Sequence, residues 1–360
     1  MNRSVNPSYR RRLMQFPRWL VVTILLGLGF PVAVVGQSPS LDEPRSPLPA
    51  PDPNEEPVGY LNFSLGTMGG KQFWTDWYHR AGWRIQQNVF SGHYRLLDEN
   101  NTRHAWGNYS HCLQELNRLQ PRDPDADRLP DVVILLHGLG RSRSSWDSLE
   151  TSLHRDGFRV VDFGYASTRA TIDEHADALH HVITHLDNVE HISFVGHSLG
   201  NLVVRRYLAK YPPRANEGPE HKRMVMLGPP NQGAELARRL RDNAIFYLFG
   251  GEPGQQLARE WQDVEPLLAT PEFEFGILAG GEDSDFSNPL VRGEDDLIVS
   301  LEETRLPGAV DFRHVESMHT FMPWNEEVMR MTRHFLAEGN FESHATRQPI
   351  AREPADPFRR

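Results

Sequence analysis

The chain has 360 residues, of which 39% are hydrophobic and 24% are charged, so it contains enough apolar residues for one large domain or two ordinary ones. Its formal net charge is -10, which argues against the strongly basic surface of a nucleic-acid-binding protein, and we expect no nucleic acid as a partner. The single cysteine, Cys112, excludes an internal disulfide, and we predict that it is a small, half-buried packing residue rather than a nucleophile.

The first 36 residues have the pattern of an export signal. Four arginines between residues 10 and 18 precede an apolar segment at 19–36. A basic region followed by an apolar one is typical of a signal peptide, which predicts a periplasmic or extracellular protein. The apolar segment is at the lower limit for crossing a bilayer, so an uncleaved membrane anchor is the alternative. Whether the signal is cleaved stays open.

Two polar segments flank the part of the chain between residues 58 and 340. Residues 37–57 are rich in proline and acidic residues, and we predict a linker. Residues 341–360 have a similar composition, and we predict a disordered tail.

Between the linker and residue 130 lies an aromatic-rich section, 58–130. Segments 93–97 and 103–106 flank a polar turn and predict a β-hairpin, with a short helix following at 110–119. We interpret the section as an N-terminal extension of antiparallel strands packed at the edge of the main domain. An aromatic binding surface is the alternative.

From residue 131 onward, predicted strands and helices alternate. The apolar run 131–136 is typical of a strand buried on both faces. The alternation predicts an α/β catalytic domain over 131–340, with a mostly parallel central sheet and helices on both faces. A helical insert at 235–270 either forms a lid over the site or simply packs on the core. Further strands are predicted at 159–163, 191–195, 223–227, 275–279 and 310–314, and helices at 143–156, 171–186, 199–210 and 325–337.

A strand-to-helix turn at 196–200 carries the first candidate catalytic residue. The run Gly196-His197-Ser198-Leu199-Gly200 is a G-x-S-x-G pattern between a predicted strand and a predicted helix. In that context the serine stands at the end of the strand as an exposed nucleophile. We expect both glycines to be required, because a Cβ would crowd the neighbouring strand or helix and because glycine tolerates strained backbone angles.

An earlier strand ends at the run His137-Gly138-Leu139-Gly140. A tetrahedral oxyanion needs two backbone N–H donors aimed at one point. The residue after the serine supplies one donor, which is Leu199, and the loop after the earlier strand supplies the other, for which we select Leu139. We therefore predict an oxyanion hole formed by the amides of Leu139 and Leu199.

A serine nucleophile also needs a base and an acid that orients the base. Among 17 histidines, position favours His319, on the loop after the last strand, over His314, which lies within that strand. The acid is expected on the preceding long loop. Asp296 is the best candidate because an apolar run, 297–299, follows it and anchors it, and Asp295 is the main rival.

Two histidines of one predicted helix have a spacing that could bind a metal ion. His181 and His185 are four residues apart, but neither an H-E-x-x-H glutamate nor an evident third ligand accompanies them. We interpret them as ordinary residues of a helix face and predict no metal.

Residues 131–338 resemble the α/β-hydrolase superfamily, in particular its lipase and esterase branches. The resemblance rests on an ordered set of five segments, at 135–140, 196–200, 227–233, 296–299 and 318–321. It implies that Ser198 is the nucleophile, His319 the general base and acid, and Asp296 its orienting partner, without a cofactor. The resemblance does not extend to residues 58–130.

The expected function is serine-dependent hydrolysis of a carboxylic ester through an acyl-enzyme on Ser198. The lipase-like motifs and the apolar insert favour a lipid or another small-molecule acyl ester as substrate. Three alternatives stay open: an acyltransferase or an amidase using the same triad, or a catalytically silent binding protein with this fold.

Overall fold

The computed structural model describes residues 50–60, 65–66, 72–122, 131–212, 218–233, 261–281, 296, 298–343 and 346–352. The predicted signal segment, most of the predicted linker and most of the predicted helical insert therefore lie outside the described residues. Within the described ranges, no helix is both long and apolar enough to cross a membrane.

The extension forms an antiparallel sheet of five described strands in the order β1-β5-β4-β3-β2. The predicted hairpin is formed by β4 and β5, with Leu96 opposite Ala105. Consecutive residues of β2, β3 and β4 are buried, so both faces of this sheet are covered: one face carries apolar residues such as Ile85 and Leu96, and the other carries polar residues such as Gln86 and Arg95. The strands are β1 (Leu65–Gly66), β2 (Trp74–Arg80), β3 (Trp83–Asn88), β4 (Tyr94–Leu97) and β5 (Thr102–Gly107).

Helix α1 (Tyr109–Leu119) covers this sheet. Asn108 precedes the helix, and its side chain accepts a hydrogen bond from the His111 amide at 3.0 Å and so caps the first turn. The buried residues Cys112 and Leu116 lie four apart, on one helix face. Cys112 is fully buried rather than half-buried, because its small side chain lies on the inner face of α1, and burial raises the pKa of its thiol.

The central sheet has six described strands, all parallel, in the order β11-β10-β9-β8-β6-β7. After β6 the chain adds β7 on one side of that strand and then returns to add β8 on the other side. The direction in which strands are added therefore reverses, and the topological switch point lies between β6 and β8. In open α/β sheets, sites form outside the carboxyl ends of the strands at such a point. The strands are β6 (Asp131–Leu136), β7 (Arg159–Phe163), β8 (His191–His197), β9 (Glu220–Leu227), β10 (Glu274–Gly281) and β11 (Asp311–Glu316).

Helices cover both faces of the central sheet, as predicted. Side chains of β6 alternate between two apolar clusters. Ile134 packs with buried residues of the helices at 172–184 and 199–210, and Leu135 packs with those of the helices at 147–155 and 326–338. The predicted helix 143–156 is instead a 3₁₀ turn at Arg143–Ser145 followed by a helix at 147–155. The helices are α2 (Asp147–Arg155), α3 (Ile172–Thr184), α4 (Leu199–Lys210), α5 (Trp261–Val264), α6 (Leu301–Thr304) and α7 (Glu326–Glu338), with further 3₁₀ turns at Glu265–Leu267 and His319–Trp324.

The segment that follows α7 differs from the predicted disordered tail. Phe341 is fully buried and packs against Phe335 at a ring-centroid distance of 4.8 Å. Further on, the Phe312 amide donates to the Gln348 carbonyl, and the Ile350 amide donates to the Ala309 carbonyl, each at 2.9 Å. Backbone pairing of this kind tolerates almost any side chain, so the polar composition of the segment gave no sign of it. The terminal segment thus bonds to the start of β11 and to the residues just before that strand.

Candidate active site

Ser198 occupies the turn between β8 and α4. Its backbone has φ 51° and ψ -118°, a left-handed conformation that is unusual for a residue with a side chain. The Ser198 amide donates to the Leu227 carbonyl at 2.9 Å, which holds the turn against the neighbouring strand β9. The side chain is half-buried and lies at the switch point of the sheet. Strain held in place by surrounding structure is characteristic of functional sites.

The glycines on either side of Ser198 are required by space rather than by backbone angle. A Cβ on Gly196 would lie 2.4 Å from Oδ1 of Asn201 in α4. A Cβ on Gly200 would lie 2.3 Å from the carbonyl oxygen of Leu136 in β6. The steric part of the prediction therefore agrees with the structure. The part that assigned strained angles to the glycines is wrong, because the positive φ belongs to Ser198.

The loop after β6 lies directly against this turn. A Cβ on Gly138 would lie 3.3 Å from Cβ of Ser198, so the Gly138 backbone approaches the serine as closely as packing allows. Gly140 adopts φ 67°, and its amide donates to Oγ of Ser167 at 3.0 Å. Leu139, between these glycines, is half-buried. Leu199 is the first residue of α4, where backbone N–H groups have no partner within the helix and are available to an anion.

Asp296 and His319 form a buried hydrogen-bonded pair. His319 Nδ1 lies 2.7 Å from Asp296 Oδ2. The other carboxylate oxygen, Oδ1, accepts the amides of Ile298 at 3.1 Å and Val299 at 2.7 Å. The His319 amide also donates to the Asp296 carbonyl at 3.0 Å. The amide bonds hold the carboxylate, and the carboxylate in turn orients the imidazole with Nδ1 toward it, which leaves Nε2 as the nitrogen for another partner.

Of the two rival residues, the structure describes only His314. His314 is on β11, where a Cβ on Gly281 would lie 2.5 Å from its Nε2. Asp295 lies outside the described residues.

His197 connects the serine turn to His319, a contact that the sequence did not reveal. Its Nε2 donates to the His319 carbonyl at 3.0 Å, and the two ring centroids are 4.9 Å apart. Burial lowers the pKa of His197 well below its usual value, so the imidazole stays neutral and Nε2 carries its proton toward that carbonyl. His197 occupies the variable position before the serine of G-x-S-x-G, at the end of a buried strand. A polar residue at such a position was the one sequence signal that could have pointed to this contact.

A second polar cluster lies between the extension and β7. Asp76 is fully buried; its carboxylate accepts from Gln86 at 2.6 Å and from the Gly164 amide at 2.7 Å, and it contacts His79 at 2.9 Å. Although burial alone would raise the pKa of Asp76, His79 and Arg143 hold it well below its usual value.

An adjoining cavity of about 640 Å³ is lined by His79 and Arg143, and also by Asp162, whose pKa burial raises. Neither Ser198 nor His319 lines this cavity. The cluster combines residues far apart in sequence, so no local pattern predicted it.

His181 on α3 and His185, which caps the end of that helix, make packing contacts and hydrogen bonds within the fold. His181 Nδ1 donates to the Trp77 carbonyl at 2.6 Å, and the ring stacks on His185 with centroids 4.1 Å apart. In the part of the chain that the structure describes, no group of three or more His, Cys, Asp or Glu side chains is arranged to hold a metal ion.

Comparison with known proteins gives one family and several structural neighbours. A model of the Alpha/beta hydrolase family matches residues 133–354. The mature lipase BlEst2 of Bacillus licheniformis is 17% identical, with 56% of this chain and 94% of that protein covered and a TM-score of 0.40. The metagenomic carboxyl esterase MGS0156 is 19% identical, with 54% and 66% covered and a TM-score of 0.43.

A monoacylglycerol lipase of Paleococcus ferrophilus is 18% identical, with 57% and 93% covered and a TM-score of 0.39. A comparison with curated proteins gives no match. The family match spans well over half of the 360 residues and includes both the Ser198 turn and the Asp296–His319 pair. The chain therefore belongs to the alpha/beta hydrolase family, and this membership supports a hydrolytic activity.

Proposed function

We propose that the protein hydrolyses carboxylic esters through an acyl-enzyme on Ser198. The observation that carries the proposal is the buried Asp296–His319 hydrogen bond, 2.7 Å long, on loops adjacent to the strained Ser198 turn. A base held in one orientation by a buried carboxylate is what serine chemistry requires, because a serine hydroxyl is a weak nucleophile at neutral pH.

In the proposed reaction, His319 Nε2 takes the proton of Ser198 Oγ as the oxygen attacks the ester carbonyl. The tetrahedral oxyanion accepts hydrogen bonds from the amides of Leu139 and Leu199. His319 then donates its proton to the leaving alcohol, and the acyl group stays on Ser198. A water molecule, deprotonated by His319, attacks the acyl-enzyme and releases the carboxylic acid. Asp296 keeps the Nδ1 proton in place throughout. No cofactor takes part in this scheme.

The proposed substrate class is a lipid or another small-molecule acyl ester. Support comes from the 3₁₀ turn that begins at His319, where Phe321 and Trp324 are 45% and 39% exposed and pack against each other. Exposed aromatic residues beside a catalytic base offer apolar contact to an acyl chain or to a hydrophobic leaving group. We further propose that the protein acts outside the cytoplasm, on the strength of the N-terminal sequence pattern alone.

Two measurements test the proposal. Hydrolysis of p-nitrophenyl esters from acetate to palmitate is measured for the wild type and for Ser198→Ala, and each protein is treated with a fluorophosphonate probe. We expect Ser198→Ala to abolish both hydrolysis and labelling. Unchanged hydrolysis in the variant would exclude this mechanism, and an unlabelled, inactive wild type would favour a binding protein.

Product analysis in the presence of added alcohols separates a hydrolase from an acyltransferase, and parallel assays with matched amides identify an amidase.

A further inference from the structure

We propose that the N-terminal extension completes the active site, with Gln72 as a positioning residue for the loop that carries the Leu139 amide. The inference rests on the proposed function, because it assigns Gln72 a part in holding that oxyanion donor. Gln72 belongs to the section 58–130.

Gln72 contacts the loop directly. Its side-chain Nε2 donates to the Arg141 carbonyl at 2.7 Å, two residues beyond Leu139. Its Oε1 accepts hydrogen bonds from the hydroxyls of Ser167 at 3.3 Å and Thr168 at 3.0 Å. The opposite orientation of the amide would set two oxygens against each other at Arg141, so the donor and acceptor ends are fixed by their surroundings.

Ser167 links Gln72 to Gly140, the residue between Leu139 and Arg141. Its Oγ accepts the Gly140 amide at 3.0 Å while its own proton points to Gln72. The Gln72 amide thereby holds the loop twice, once directly at Arg141 and once through Ser167 at Gly140. Both contacts lie within two residues of Leu139.

The same loop has two further attachments. On its upstream side, the Tyr165 hydroxyl donates to the His137 carbonyl, and the two rings stack with centroids 4.3 Å apart. On its downstream side, Arg143 lies 3.7 Å from the Asp76 carboxylate of the extension. Within the described ranges, the hydrogen bond from Gln72 to Arg141 ties the extension to this loop two residues beyond Leu139.

This arrangement has a chemical consequence. An oxyanion donor is effective only when it is already aimed at the position of the developing charge. The loop contains Gly138 and Gly140, whose backbones have more freedom than those of other residues. External hydrogen bonds at Gly140 and Arg141 therefore keep the Leu139 amide in one direction, and their loss is expected to weaken binding of the transition state more than binding of the ester.

The test uses the full chain with Gln72→Met, which keeps the length of the side chain and removes its hydrogen bonds. We expect kcat for a p-nitrophenyl ester to fall about tenfold with KM changed less than twofold, since displacing a donor costs less than the roughly 100-fold loss caused by removing one. The inhibition constant of a trifluoromethyl ketone, which forms a tetrahedral adduct on serine, should rise by the same factor as kcat falls.

The matched control is His181→Phe. It removes a different hydrogen bond between the extension and the central domain, the one from His181 to the Trp77 carbonyl, while retaining an aromatic ring. We expect His181→Phe to leave kcat and the inhibition constant within twofold of wild type. Thermal unfolding of both variants verifies that each is folded, and Gln72→Glu, which keeps only the acceptor end, provides a second variant with the same expected direction.

The outcomes separate this inference from the proposed function. An active wild type with unchanged kcat and inhibition constant in Gln72→Met overturns the role of Gln72 and leaves the proposed function intact. Equal losses in Gln72→Met and His181→Phe also overturn it, since they indicate general loosening of the extension. A wild type without esterase activity or ketone binding overturns both.

Discussion

His197 donates a hydrogen bond from Nε2 to the backbone carbonyl of His319, at 3.0 Å. The residue immediately before the candidate nucleophile thus holds the backbone of the candidate base. The contact joins the end of β8 to the segment that begins at His319, although the two residues are 122 positions apart in sequence. It thereby fixes the distance between the two backbones.

Replacing His197 with phenylalanine tests this coupling. The ring is kept, but the His319 carbonyl loses its donor, and a buried acceptor without a partner costs about 1–3 kcal/mol of the free energy of unfolding. We expect that loss together with about a tenfold decrease in kcat, measured by chemical denaturation and ester hydrolysis. The control is His221→Phe, which removes the buried hydrogen bond between His221 on β9 and the Tyr207 hydroxyl on α4 and should affect stability alone. Equal kcat in the two variants would contradict the coupling.

The choice between Asp296 and Asp295 as the triad acid is tested by two asparagine variants. Asp296→Asn presents an amide that cannot hold the Nδ1 proton of His319 in the same way, and we expect kcat to fall by about 10³- to 10⁴-fold. Asp295→Asn should lower kcat less than threefold. Circular dichroism verifies folding. A large loss in Asp295→Asn with little change in Asp296→Asn would reverse the assignment.

Gly200→Ala tests the close approach between α4 and β6. The new Cβ would lie 2.3 Å from the Leu136 carbonyl oxygen, which belongs to a strand paired on both sides and cannot easily move. We expect the free energy of unfolding to fall by about 2–4 kcal/mol and most of the esterase activity to be lost.

The control is Gly157→Ala, where φ is 88° but no atom lies within 4 Å of the new Cβ. Its cost should be limited to backbone strain, about 1 kcal/mol, with unchanged kcat. If Gly200→Ala proves no more destabilising than this control, the steric account of the elbow is wrong.

The pH dependence of stability gives a prediction for His137. Burial lowers its pKa from 6.5 to about 4. As pH falls from 6.5 toward 4, the unfolded chain takes up a proton that the folded protein does not, so the contribution of His137 lowers stability by up to about 1.4 kcal/mol per pH unit. Above pH 6.5 the contribution is constant.

The measurement compares the wild type with His137→Phe, which retains the ring that stacks on Tyr165. The variant should lose less stability than the wild type between pH 6.5 and 4. Asp162 has a raised pKa and acts with the opposite sign, but it is present in both proteins and cancels in the difference. A difference in stability that does not change with pH would contradict the prediction.

The sequence predicted those features that depend on local pattern. The apolar runs at 131–136 and 159–163 give the observed strands, and residues 199–210 form the predicted helix. Since parallel strands place their carboxyl ends at one edge, Ser198 and the loop containing Leu139 were expected together, and the structure puts Gly138 against Ser198.

Contacts between distant segments were not predictable in this way. Gln72 is 69 residues from Arg141, and the amide side chain has no periodic or motif signal. The tail composition suggested disorder, yet the backbone of Gln348 and Ile350 bonds to Phe312 of β11 and to Ala309 just before it. The contacts at Arg141, Phe312 and Ala309 all use backbone groups, to which side-chain patterning is insensitive.

The bonding of the terminal segment, residues 346–352, to the start of β11 also bears on self-association. An edge strand with free amides and carbonyls is a template on which a strand from another molecule can add. Here the Phe312 amide, the Ala309 carbonyl and the Gly308 amide are already bonded to the terminal segment. Removing that segment would leave the Phe312 amide of β11 without this partner, so we expect a protein that lacks residues 346–352 to associate more readily through this strand.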